Sequence, residues 1–217
     1  QQAGVRKALE KHVSEKIPGF AVVEKANSQV MRFFDNVLFF VPGFMTSFIT
    51  TYYPKVYVPS LHRWNLNHMA TISILAHEYV HLSDRKKMGL LFNLAYLSPQ
   101  VLAVFALLTP LNPWFLFCLL FLAPIPSPGR TWAEIRGYRM TIAVYYWLSA
   151  GRYNLDYTTD HFVGPSYYWM WPFRKYIKKR LEIEYQKIKD NDLSQELLEV
   201  KKVLTDAGVI CYDGVRR

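Results

Sequence analysis

Hydrophobic positions recur on a helical period through most of this chain, broken by a few β-favouring residues and one long uncharged run. Residues 2–16 predict a short polar helix that Pro18-Gly19 ends. From Asn27, expected as an N-cap, "SQVMRFFDNVLFF" keeps helical spacing up to Pro42-Gly43. "FITTYYPKVYVP" then turns to Tyr, Thr and Val. Its prolines at 54 and 59 argue for an edge strand, and residues 55–58 are expected to offer an open edge to an extended peptide. After "SLHRWN" comes a helix over about 66–87, closed by Arg85-Lys86-Lys87, the charges that a helix C-terminus favours. Residues 88–129 carry no charge, and "TPLNP" at 109–113 is a strong turn, so the segment predicts two apolar legs of a helical hairpin closed by "APIPSPG". A further helix is expected from near Thr131 to a C-cap at Gly151, then an aromatic-rich loop over 152–172. Charged helix follows over 172–207, broken or capped near Asp190-Asn191-Asp192.

These elements predict one domain over residues 1–217, mainly α (α+β), with a small β-sheet or edge strand and the apolar hairpin 88–129. Composition adds that 51% hydrophobic against 20% charged residues leave much apolar surface to bury or to give to lipid. The formal charge of +9 permits anionic partners. No RGG tract, zinc knuckle or RNP signature accompanies it, so nucleic acid is not an expected partner. Cys118 and Cys211 are too far apart and too few for a disulfide framework. The opening "QQAGVRKALEKHVSEK" has neither an initiator methionine nor an apolar signal core, which leaves localisation open.

The chemistry sits in "ILAHEYVHLSD", residues 74–84. On a helix His77 and His81 share a face and can point two imidazoles at one ion, with Glu78 beside them. Neutral imidazoles suit Zn²⁺, the metal acidifies water, and a carboxylate takes the proton. Random order would produce this pattern in about 0.7% of chains of this composition, so the match is specific. The alternative is one buried and one surface histidine on an ordinary helix.

Zinc normally takes a third protein ligand. The metzincin spacing would place it at position 87, which is lysine. After Asp84 the next carboxylate is Glu134, in "TWAEIRGYRM" on the following helix. Glu134 is therefore either the third ligand or the far half of a Thr131-x-x-Glu134 capping box, with Asp160 or His161 in reserve. Asp84 could orient a ligand imidazole, and Tyr138 or His161 could stabilise a developing oxyanion.

"HEYVH" followed by "AEIRGY" resembles the gluzincin pattern of HExxH zinc metallopeptidases, over about residues 50–150. Setting an apolar hairpin between motif helix and third-ligand helix is similar to membrane-bound gluzincins of the HtpX type. Those carry an acidic residue four after the glutamate, where this chain has Tyr138. "EIRGY" with "YYWMWPF" is more loosely similar to uncharacterised peptidases in tailed-phage genomes. The resemblance implies a zincin-like helical domain that cleaves a peptide or protein substrate. His77, His81 and Glu134 would bind Zn²⁺, and Glu78 would activate water.

The hairpin has two expected fates. Basic residues flank both ends, Arg85-Lys86-Lys87 before and Arg130, Arg136 and Arg139 after, which suits a hairpin dipping into a membrane from one side. Two buried helices in the core of a soluble domain would read the same way. The tryptophans are expected to be packing or interfacial residues. Besides the peptidase, two other classes fit: a structural or anchoring part of a larger assembly, such as a phage virion, with a vestigial or structural metal site, and a membrane-surface binding module.

Overall fold

The computed structural model describes residues 2–39, 41, 43–66 and 68–213. The architecture is mainly helical with one small sheet, the expected α+β class. Helix α1 (Gln2–Lys16) buries Val5, Leu9 and Val13 at four-residue spacing. Strand β1 (Val22–Glu24) leads to α2 (Gln29–Val37), capped by Ser28, whose hydroxyl accepts from the Met31 amide. The cap is therefore one residue beyond the expected Asn27, and α2 ends at Val37; Phe40 and Pro42 lie outside the described residues.

Strands β2 (Thr50–Tyr52) and β3 (Lys55–Val58) form an antiparallel hairpin, and β1 joins β3 in parallel with Val22 opposite Val56. The order β1-β3-β2 puts residues 55–58 in the middle of the sheet, with Val56, Tyr57 and Val58 buried. This corrects the expected edge strand: Pro54 sits in the β2–β3 turn, and the free edge beside the motif helix belongs to β2. Beneath the sheet, the Lys25 ammonium donates to the Phe44 carbonyl at 2.6 Å and lies over the Phe44 ring. Burial pulls its pKa down to about 8.

Short α3 (Leu61–Leu66) precedes α4 (His68–Met88), which packs against α1 on one side and α6 (Pro128–Leu148) on the other. Both long helices are buried on most faces, α4 through Ile72, Leu75, Ala76, Tyr79 and Leu82 and α6 through Met140, Ile142, Ala143 and Trp147. A helix enclosed on several sides can hold polar side chains at a fixed distance from a neighbour, which is what positions the site. Helix α6 begins at Pro128 after an N-cap at Ser127, three residues before the expected start.

Between them runs the apolar hairpin. Helix α5 (Leu90–Leu97) turns by 93° at the cis Ser98-Pro99 bond into a 3-10 leg, Gln100–Leu108, and a second 3-10 leg, Pro113–Leu122, packs against the first. No residue of either 3-10 leg is buried, so the expectation of a buried core hairpin does not hold. Among the described residues no single helix is long and apolar enough to cross a membrane.

Residues 152–172, expected as loop, contain α7 (Leu155–Val163), whose cap Asn154 accepts from the Asp156 and Tyr157 amides. Helices α8 (Arg174–Lys189) and α9 (Gln195–Asp206) fill the charged C-terminal segment, with the break at Asp190–Asp192 where it was expected.

Candidate metal centre

One turn apart on α4, His77 and His81 both point into the α4–α6 interface, and their Nε2 atoms stand 3.0 Å apart. From α6, Glu134 places Oε2 3.4 Å from His77 Nε2 and Oε1 3.7 Å from His81 Nε2. All three residues are buried, and among the described residues they form a group able to hold a metal ion. Zinc bonds of ~2.0–2.1 Å in a tetrahedron require donors roughly 3.3–3.4 Å apart; the imidazole pair at 3.0 Å and the His77–Glu134 Oε2 contact at 3.4 Å lie near that length, while the 3.7 Å contact of His81 is to the other carboxylate oxygen. Glu134 Oε2 and His81 Nδ1 are buried polar atoms with no hydrogen-bond partner, an arrangement that a cation among the three donors would complete at the carboxylate. The residues present therefore fit a tetrahedral divalent metal.

Hydrogen bonds from the surroundings hold two of the three donors. His77 Nδ1 lies 3.1 Å from Thr141 Oγ1, a contact that fixes the ring's orientation and is compatible with the tautomer that would turn an Nε2 lone pair toward a metal. The Tyr96 hydroxyl, from α5, donates to Glu134 Oε1 at 2.5 Å. Above Tyr96 lies the guanidinium of Arg130, which also covers the Tyr167 ring.

Burial pushes the Glu134 carboxyl up, but His77, His81 and the Tyr96 hydroxyl outweigh it and hold it at about 2, so it is ionised at neutral pH. Burial also disfavours charge on both imidazoles. At His77 the contact with Glu134 and the charge of Glu78 overcome this and raise its pKa, whereas His81 stays depressed, with His77 adding to the effect. The His81 ring is thus held in the neutral form a metal needs.

Glu78 occupies a different setting from the three donors. It is half-buried, and its Oε2 accepts from Thr51 Oγ1 at 2.5 Å. Thr51 belongs to β2, so the carboxylate beside the candidate ligands is tied to the free edge of the sheet.

The capping-box alternative for Glu134 is not formed: Thr131 lies inside α6, its hydroxyl has no partner, and Glu134 turns to Tyr96 and the imidazoles instead. Asp84 is not an acceptor for His81. It is buried in a two-bond ion pair with Arg136, at 2.9 Å to both Nε and Nη2. The reserve ligand Asp160 faces outward in an ion pair with Arg174. Tyr138 packs edge-on against the His77 ring, centroids 5.0 Å apart, while its hydroxyl meets that of Tyr167 at 3.0 Å. His161 lies further out, beside Tyr157 and Tyr167, with Nδ1 2.8 Å from the Tyr157 carbonyl. Neither belongs to the three-donor group.

Sequence reasoning missed Tyr96, Thr141, Thr51, Arg130 and Gly137. Only Gly137 carried a signal, as a glycine inside a helical pattern. An open surface concavity between residues 151–156 and α8 shares no residue with the centre. The chain matches no protein-family model, no curated protein and no solved structure. The geometry of the centre therefore carries the functional reading.

Proposed function

We propose that this protein is a zinc-dependent metallopeptidase. One observation carries the reading: a buried His77-His81-Glu134 donor set with metal-like spacing stands beside Glu78, a carboxylate outside the set and tied to an open strand edge. Three protein donors are the usual complement of a catalytic zinc, whereas structural zinc usually takes four. Among the described residues no fourth His, Cys, Asp or Glu joins the group.

Zinc bound there would polarise a carbonyl and bring water into the range where a carboxylate can deprotonate it. Glu78 is the base, and Thr51 holds its carboxylate toward β2. An extended substrate would add to the free edge of β2, its backbone paired with residues 50–52 and its scissile bond delivered to Glu78. Thr141 and Tyr96 orient His77 and Glu134.

The test is Glu78→Gln. The variant should bind zinc as the parent does and lose at least ~10²-fold in hydrolysis of an unfolded protein substrate. Undiminished hydrolysis would contradict the mechanism.

A further inference from the structure

We propose that the apolar hairpin inserts into one leaflet of a phospholipid bilayer and anchors the protein to a membrane surface. The inference stands on the outside of the molecule and does not depend on whether the centre is catalytic.

Three side chains near the tip are among the most solvent-exposed large apolar residues in the structure: Leu111 at 80%, Leu107 at 77% and Trp114 at 73%. An uncovered surface of this kind on a segment without a single charged residue marks a contact with an apolar phase. Lipid imposes a second condition, that backbone polar groups be satisfied within the segment, and both legs meet it through helical bonding. Polar side chains at the tip are locally engaged: Thr109 Oγ1 donates to the Ala106 carbonyl, and Asn112 Oδ1 accepts from the Trp114 amide. At the base, Gln100 donates to the Ile125 carbonyl and Ser127 to the Ser98 carbonyl, so the legs are fastened together as one unit.

Length sets the depth. Legs of nine and ten residues at ~2.0 Å per residue reach roughly 18–20 Å, enough for one leaflet of a ~30 Å hydrocarbon core and too short for both. The base carries what a headgroup region favours. Trp132 lies in the first turns of α6, Trp169 is partly exposed, and the Tyr168 hydroxyl donates to the Leu122 carbonyl at the foot of the second leg. The net charge of +9 draws the whole chain toward anionic lipid. Lipid is favoured over a protein partner because the exposed large side chains are apolar on both legs and the polar side chains at the turn, Thr109 and Asn112, are engaged within it, so no charged rim of a protein interface surrounds them.

The proposal fixes the position of the candidate centre. Tyr96, on the helix that begins the hairpin, is the residue that donates to Glu134, so α5 joins the centre directly to the inserted element.

The test uses the full chain with both cysteines replaced (Cys118→Ser, Cys211→Ser) and a single environment-sensitive fluorophore on Leu111→Cys. The probe is a vesicle of phosphatidylcholine and phosphatidylglycerol. Insertion gives a blue shift and a several-fold rise in emission, quenched by lipid brominated in the acyl chain. A fluorophore on Lys7→Cys should not change. The unlabelled variant Leu107→Glu/Leu111→Glu, whose altered side chains bury little, should keep its circular dichroism and lose co-flotation with vesicles. An unchanged Leu111 signal, retained co-flotation of the double variant, or burial of the fluorophore in a lipid-free oligomer would each overturn the proposal.

Discussion

Gly137 on α6 lies against the ring of His77 on α4: a β-carbon at position 137 would come within 2.5 Å of His77 Nε2, the atom facing Glu134 and His81. The glycine is thus the space in which the His77 ring sits. Gly137→Ala would press a β-carbon onto the edge of an enclosed ring, and the strain is relieved only by carrying Nε2 out of the donor set. Zinc affinity is expected to fall by at least ~10-fold, with a stability cost of about 1–3 kcal/mol from overpacking. Calorimetric zinc titration and a thermal melt of the same variant check both halves.

Asp84 separates structural from chemical roles near the centre. It sits three residues past His81, yet its carboxylate is bound through both oxygens by Arg136. Asp84→Asn should cost about 2–4 kcal/mol of stability by breaking a mostly buried ion pair. Its zinc affinity should change by less than the ~10-fold seen when a true ligand-orienting partner is lost. Denaturant unfolding beside metal titration distinguishes the two.

A pH dependence follows from Glu196 at the start of α9. Its carboxylate meets Lys87 of α4 at 2.6 Å and Arg136 of α6 at 3.7 Å, so it ties three helices together. Burial pushes its pKa up, but the Lys87 ammonium and the donors of its own helix start win and hold it at about 2. A folded pKa below the unfolded value gives stability that is complete above about 4.5 and is lost as pH falls toward 2. Lys87 is largely exposed, so screening limits the contribution to about 1–2 kcal/mol. Glu196→Gln should therefore be less stable at pH 7 and show a flatter stability profile between pH 5 and pH 2, measured by chemical unfolding across that range.

How much of this was legible in the sequence depends on whether the signal was periodic. His77, Glu78 and His81 were readable because helical geometry alone places residues four apart on one face. Glu134 stood out only because the chain is empty of carboxylates between Asp84 and Asp156 apart from it. Tyr96 and Thr141 had no such mark: tyrosine occurs fifteen times, and which copy meets Glu134 depends on how α5 folds back against α6. The strand was misplaced for a local reason. Pro54 and Pro59 bracket β3 and argue for an edge, but they serve the turn before it and its end, and a buried β3 is legible only once β1 is known to pair with it. Helix α7 was overlooked although Asn154 capping a turn that contains Asp156 is an ordinary helix start. The aromatic residues around it hid that signal.

The claim on which the rest depends is that two imidazoles of α4 and one carboxylate of α6 hold a single cation, and zinc binding to the purified, metal-stripped chain tests it most directly. The parent should take up about one equivalent of zinc, and Glu134→Ala should bind at least ~10²-fold more weakly, with His81→Ala weakened likewise. A parent chain that takes up no zinc, or a Glu134→Ala variant that binds it as tightly as the parent, would contradict the account.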